Sequence, residues 1–470
     1  MSKSLLRASS GTVGVFLTLV LMLVLGVSSA LALADAETLN YDDSWGPEGL
    51  SMSRQSGDRL ELNFSLHSWT LGSMELNGRG ANVIQMPGVF LPNDAGAPDL
   101  PGISQFIALP NGAVASVRLI DSRQETYYGV DMAPAPVIPL DTDNGPLVYT
   151  RNNEIFTKDQ YYPENPVLVG NIAAIRGVQA AMLGITPFQY NPVRQELVVF
   201  RDMRFEITFE GGNGQFGEDR LRSKWFDPIL NDIFLNSAAL PLVDNPVSRG
   251  NRTPDFEYII ISPPLPSYMA WADSLKRFRT EQGITTGVFT TAEIGGNTTT
   301  AIEGFIDDAM TNWDVPPVAV LLLGDHGTEA SDVIAPIYDN YCVSDHIYAD
   351  VSGNHMPDVI LARMTADNPT NLETYVRKVL DYELNPPTDP SFYSNPVIAG
   401  GWQDERWFVL CDEVIYGFMA NELSKTPTRE YAVYSGVHTA WSSATNTQTV
   451  LNYFGNNGLG YIPDTPAHLT

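Results

Sequence analysis

Val318-Ala-Val-Leu-Leu-Leu323 is six apolar residues in a row. A run without alternation is buried on both faces, as in a parallel strand with helices above and below. Gly324-Asp325-His326-Gly327 follows it directly. In open α/β sheets, sites form where strands end at their carboxyl side, so this loop is the first place to look for chemistry.

Outward from that strand, short apolar runs alternate with helical patterns. Tyr258–Ser262 and Ile284–Phe289 read as strands before it, and Val359–Ala362 and Val397–Gly400 as strands after it. Between them, Ser267 can cap a helix running to Gln282, which puts Leu275 and Phe278 on one face and Gly283 at its end. Helices are expected over Thr300–Trp313, Asn371–Glu383 and Arg406–Lys425. Alternating strands and helices specify a three-layer α/β domain.

The first half has a different rhythm. Leu60, Leu62, Phe64 and Leu66 alternate with polar residues, as do Met203, Phe205, Ile207 and Phe209. A period of two means strands with one buried face. Pro134, Pro136, Pro139, Pro146, Pro163 and Pro166 exclude long helices between them. A β-rich sandwich or barrel-like domain is expected over residues 35–249. A polar stretch, Asn245-Pro-Val-Ser-Arg-Gly-Asn-Arg-Thr-Pro254, then leads through a 250–257 linker into an α/β domain over 258–470. That organisation agrees with 470 residues, since domains usually run ~100–200.

Charge narrows the function. Against 55 Asp and Glu stand 27 Lys and Arg, for a net charge of −28. Nucleic-acid binding needs a basic face, so nucleic-acid partners are not expected. Residues 1–34 read as a signal peptide: Lys3 and Arg7, an apolar run from Val13 to Val27, then Ala32-Leu33-Ala34 as the cleavage site. No second run of membrane length follows, so export without a lasting membrane span is expected. Cys342 and Cys411 are the only cysteines. Both neighbourhoods read as buried positions, and two cysteines make no disulfide scaffold.

Two kinds of chemistry are open. Asn354, Met356 through its carbonyl, and Asp358 fall at alternate positions of one loop, with Asp325 able to close an oxygen shell for Ca²⁺. Asp141-Thr-Asp143-Asn-Gly145 reads as a turn. A Cys–His dyad needs both groups delivered to one place. His326 follows a suitable strand, but neither Cys342 nor Cys411 does. Zinc-protease, Walker and nucleophile-elbow motifs are missing from the sequence.

Leu321-Leu-Leu-Gly-Asp-His326, Ser344-Asp-His-Ile-Tyr348, Gly353-Asn354 and Asp358-Val-Ile-Leu-Ala-Arg363 resemble the first catalytic subdomain of the gingipains, peptidase family C25. Tyr162-Pro163, Arg176-Gly177 and Pro187-Phe-Gln-Tyr-Asn-Pro192 resemble the C25 propeptide. The resemblance implies a precursor of a secreted cysteine endopeptidase, with a caspase-like α/β fold and its own propeptide as intramolecular inhibitor. It implies no catalytic residue before Thr470, where the chain reads as mid-domain, so this stretch alone is expected to be inactive.

The resemblance places a calcium site on Asp325, Ser352 (carbonyl), Asn354, Met356 (carbonyl) and Asp358. It also places the acid of the S1 pocket on Asp412, which implies protein or peptide substrates cut after Arg or Lys. Processing is then expected after Arg249 or Arg252. The alternative is a secreted binding or adhesion protein on the same fold.

Overall fold

A computed structural model describes residues 34–432, apart from 77, 88–93, 139–146, 242–254, 339, 341, 402–407 and 422. The signal segment up to residue 33, the Asp141–Gly145 turn, and Arg249 and Arg252 lie outside the described residues.

The first portion is built from strands β1 (Ala34–Asn40), β2 (Gly49–Ser56), β3 (Arg59–Ser65), β4 (Ser68–Leu76), β5 (Arg79–Gln85), β6 (Ile103–Leu109), β7 (Ala113–Tyr128), β8 (Val167–Ile175), β9 (Val178–Ile185), β10 (Phe188–Asn191) and β11 (Glu196–Gly211). Two short helices, α1 (Asn153–Phe156) and α2 (Asp227–Ile233), accompany them. The expected alternation decides the main sheet. Leu60, Leu62 and Phe64 of β3 stand opposite Ile207, Phe205 and Met203 of β11, and all six are buried. Strand β11 carries β3 and β10 on its path through the sheet and also pairs with β7 along nearly its whole length. Two smaller sheets, β1-β4-β5 and β6-β9-β8, close over the same apolar core. The fully buried Asp202 is paired: it accepts from Trp45 N (2.8 Å), Ser65 Oγ (2.7 Å) and Arg123.

The second portion is the three-layer α/β domain. Its parallel sheet has the order β13-β12-β14-β17, from β12 (Tyr258–Ser262), β13 (Thr286–Thr290), β14 (Ala319–Leu323) and β17 (Ile360–Met364). The hairpin β15 (Ile337–Tyr338) and β16 (Cys342–Val343) precedes β17. Successive strand residues face opposite sides. Ile259, Ile261, Val320 and Leu322 pack against Ile302, Ile306, Ala309 and Met310 of α4 (Thr299–Asn312). Ile260, Leu321 and Leu323 meet Tyr268, Ala272 and Leu275 of α3 (Pro266–Glu281) and Leu372 and Val376 of α6 (Pro369–Leu384). The short α5 (His346–Ala349) joins the α4 side.

Helix starts shift by a few residues from the sequence expectation. Ser267 is not a cap: α3 begins at Pro266, whose fixed φ suits the first helical position. Thr298 caps α4, and Asn368 caps α6 by accepting from Thr370 N and Asn371 N. After α7 (Pro390–Ser394), the strands β18 (Val397–Gly401) and β19 (Thr428–Ala432) form a second parallel pair, with α8 (Phe408–Asn421) packed on β18.

The two portions share a seam at the amino ends of β14 and β17. The β8–β9 hairpin turns on Arg176 and Gly177, both with positive φ (44° and 73°), as a two-residue turn of this hand requires. A Cβ on Gly177 would lie 2.4 Å from Leu221 Cδ1. The turn drives Arg176 into the α/β portion, where it is 2% exposed. Its backbone N–H donates to Asp358 Oδ1 (3.0 Å). Its Nη1 donates to the carbonyls of Pro317 (3.1 Å) and Asp358 (2.7 Å), and its Nε to that of Leu221 (2.9 Å). Phe226 lies under the guanidinium at 4.6 Å. Burial pulls the Arg176 pKa down to about 10 against the pull of Asp227 and Asp358, so the group stays charged at neutral pH. Nearby, Arg220 Nη1 donates to the Met310 and Trp313 carbonyls (2.7 and 3.1 Å), at the negative end of α4.

Candidate functional site

The carboxyl ends of β14 and β17 are organised by one side chain. Arg363, at the end of β17, holds Asp345 through two parallel bonds (Nε to Oδ2, 2.8 Å; Nη2 to Oδ1, 2.7 Å). Its Nη1 reaches the carbonyls of Gly324, Asp325 and Val333. Three loops are thereby tied to one guanidinium with its side chain 7% exposed. Lysine offers a point charge instead of a planar fork. Arg363→Lys keeps the charge but loses the fork, so its cost is expected to fall below the ~3–5 kcal/mol of removing one partner of a buried pair; an unchanged urea midpoint would show the clasp to be dispensable.

His326 sits on this loop, half-exposed, with Nδ1 2.9 Å from Asp325 Oδ1. Hydrogen bonds from the His326 ring and backbone N–H hold the Asp325 pKa below its ordinary value. Cys342 lies on the small β15–β16 hairpin and Cys411 on α8. Both are exposed and they are not disulfide-bonded. The expected burial is overturned because Cys342 falls on an exposed two-residue strand and Cys411 on a solvent-facing side of its helix.

The five expected calcium ligands do not assemble. Asp325 follows β14 at its carboxyl end, whereas Asp358 precedes β17 at its amino end. With Ala319 opposite Ile360 and Leu323 opposite Met364, the two carboxylates are on the order of 20 Å apart at ~3.3 Å per residue. Asp325 and the 352–358 loop therefore lie at opposite edges of the sheet. The two remaining side chains already accept hydrogen bonds. Asp358 accepts from Arg176 N and Ser352 N (2.9 Å), and Asn354 Oδ1 accepts from Met356 N (2.9 Å). Asn354 Nδ2 donates to Ala174 O of the β8–β9 hairpin (2.7 Å). Among the described residues no group of three or more His, Cys, Asp or Glu is placed to hold a metal. The residues do not fit one Ca²⁺. Thermal melts of the chain in EDTA and in excess calcium are expected to coincide. A site occupied at a hundredfold excess over Kd would add ~2.7 kcal/mol, and a calcium-dependent rise of several degrees would restore it.

Asp412 stands apart from these. It lies early in α8, over the carboxyl end of β18, and its Oδ2 is buried without a hydrogen-bond partner. The oxygen packs against Gly400: a Cβ there would be 1.8 Å from it. Burial, then the charge of Glu413, pushes the Asp412 pKa up. Glu413 itself is fully buried and accepts from Arg429 Nε (2.7 Å), Arg429 Nη2 (2.9 Å) and Tyr431 Oη on β19. The neighbouring acids thus divide the work: Glu413 ties α8 to β19, and Asp412 is left with an acceptor to fill.

Sequence reasoning missed the seam role of Arg176 and Arg220 and the contact at Gly400. The first had a signal, since Arg176-Gly177 between two apolar stretches is a hairpin turn. What the tip would touch, 182 residues away, had none.

The β-rich portion and the three-layer α/β portion each match a known protein family. The C25 propeptide family matches residues 49–236, and "Peptidase family C25" matches residues 251–462. Lys-gingipain of Porphyromonas gingivalis is 24% identical over 375 residues, 76% of this chain and 21% of its own length. Gingipain R2 of the same organism is 22% identical over 302 residues, 63% of this chain and 39% of its own. The solved complex of Porphyromonas gingivalis RgpB pro- and mature domains aligns with 41% of this chain and 98% of that one, at 18% identity and a TM-score of 0.37. The chain belongs to peptidase family C25 as a gingipain-like precursor. It spans about a fifth of the length of the Lys-gingipain it matches.

Proposed function

We propose that this chain is part of the precursor of an exported cysteine endopeptidase that cuts after Arg or Lys, with the β-rich portion as its intramolecular inhibitor. The observation that carries the specificity is the partnerless carboxylate oxygen of Asp412 at the carboxyl end of a parallel strand. A pocket acid without a partner favours a cationic side chain, because leaving the charge alone is costly. The same preference would process Arg249 or Arg252 in the linker, freeing the peptidase portion from its covalent tie. Export rests on residues 1–34. Among the described residues no helix is long and apolar enough to cross a membrane.

The test uses the product of the complete gene. After activation, the new amino terminus is read by sequencing, and peptides differing only in Arg, Lys or Leu before the scissile bond are compared. A mature start at Gly250 or Thr253 with preference for Arg or Lys is expected. A start elsewhere, or no cleavage of any peptide, favours the secreted binding protein instead.

A further inference from the structure

Gly400 has an ordinary backbone: its φ is not in the left-handed region, so nothing in the main chain asks for glycine. Its neighbour Gly401 is likewise unstrained and has no atom within 4 Å of an added Cβ. The two differ in one respect. A Cβ on Gly400 would lie 1.8 Å from Asp412 Oδ2 and 2.9 Å from its Cγ, far inside any tolerated separation.

Both backbones are held. Gly400 stands opposite Tyr431 in the β18–β19 ladder. On the helix side, the residue next to Asp412 is Glu413, bound to Arg429 and Tyr431 of β19. Strand and helix are thus fastened to the same partner strand. The atom free to move is the carboxylate, by rotation about its own side-chain bonds.

We infer that Gly400 is a positioning residue for substrate specificity, its bare Cα admitting the Asp412 carboxylate to the floor of the pocket that receives the cationic side chain. The inference rests on Asp412 being the pocket acid. Any side chain at 400 would swing that carboxylate off the floor while leaving the machinery that cuts the bond untouched.

Two measurements test it. In the activated product of the complete gene, Gly400→Ala is expected to reduce the Arg-over-Leu ratio of kcat/KM at least tenfold, with cleavage after Leu little changed. Gly401→Ala should leave the ratio as it is. An intact ratio in Gly400→Ala, where Asp412→Asn has lost it, overturns the role of Gly400 and keeps the pocket acid. An intact ratio in both overturns the pocket and this inference with it. The second measurement needs no catalysis and covers the case where the variant folds poorly. Gly400→Ala should lower the thermal midpoint of the chain in the presence of Asp412 and not in an Asp412→Ala background, since contacting residues couple. An equal drop in both backgrounds refutes the contact.

Discussion

Asp412→Asn is expected to lower kcat/KM for Arg substrates of the activated enzyme by roughly 30- to several-thousand-fold, the range for truncating one side of a buried charge pair at about 2–5 kcal/mol. Cleavage after a neutral residue should fall far less, so the loss is one of preference. The same change should raise the thermal midpoint of the chain near neutral pH. Burial and Glu413 push the Asp412 pKa up, so the folded state holds this proton more tightly than the unfolded one. Stability from this group is then full below the unfolded pKa and lost as pH rises through the folded value. An amide has no such penalty. For the wild type, kcat/KM with Arg substrates should drop on acidification through a pKa above the ordinary carboxylate range, a limb that Leu substrates lack. Identical pH profiles for the two substrates would remove Asp412 from the pocket.

Arg176→Ala is expected to cost about 2–5 kcal/mol of docking between the two portions. It deletes the two bonds that cross the seam, to the Pro317 and Asp358 carbonyls, and with them the bond to the Leu221 carbonyl and the Phe226 contact that hold the guanidinium in place. Arg176→Lys should not rescue it, because one ammonium cannot span carbonyls on Leu221, Pro317 and Asp358. After a cut within residues 242–254, the wild-type halves should co-elute on size exclusion and the Arg176→Ala halves should separate. Co-elution of both would place the affinity elsewhere on the seam.

Much of this architecture is readable from residue order. Val318–Leu323 announces a doubly buried strand, and it is one, flanked by α4 on one side and α3 and α6 on the other. The period of two in Leu60–Leu66 and Met203–Phe209 gives paired strands in the predicted facing. These are local patterns, imposed by side-chain periodicity on whichever element forms. The pocket role of Asp412 follows from resemblance to a known helix, and its partnerless oxygen is the observation on which the proposed pocket rests. The proposed calcium ligands are not brought together. Asp325 follows β14 and Asp358 precedes β17, and because the two strands run parallel the two loops emerge at opposite edges of the sheet. Gly400 was read only as the end of a strand, because the carboxylate that fills its missing side chain arrives from a separate helix.

The seam has a consequence for inheritance. Leu221 of the proregion lies in the core of the α/β portion, and Val318 lies in the core of the proregion. Arg176 reads the main chain at Pro317 and Asp358, so it depends on the path of that loop and not on one side chain alone. A chimera joined at the linker, carrying the proregion of one relative and the peptidase portion of another, would mismatch two cores and one guanidinium at once. Halves joined in this way would not be exchangeable by recombination, and a change in the loop before β17 would have to be answered at a hairpin encoded far upstream.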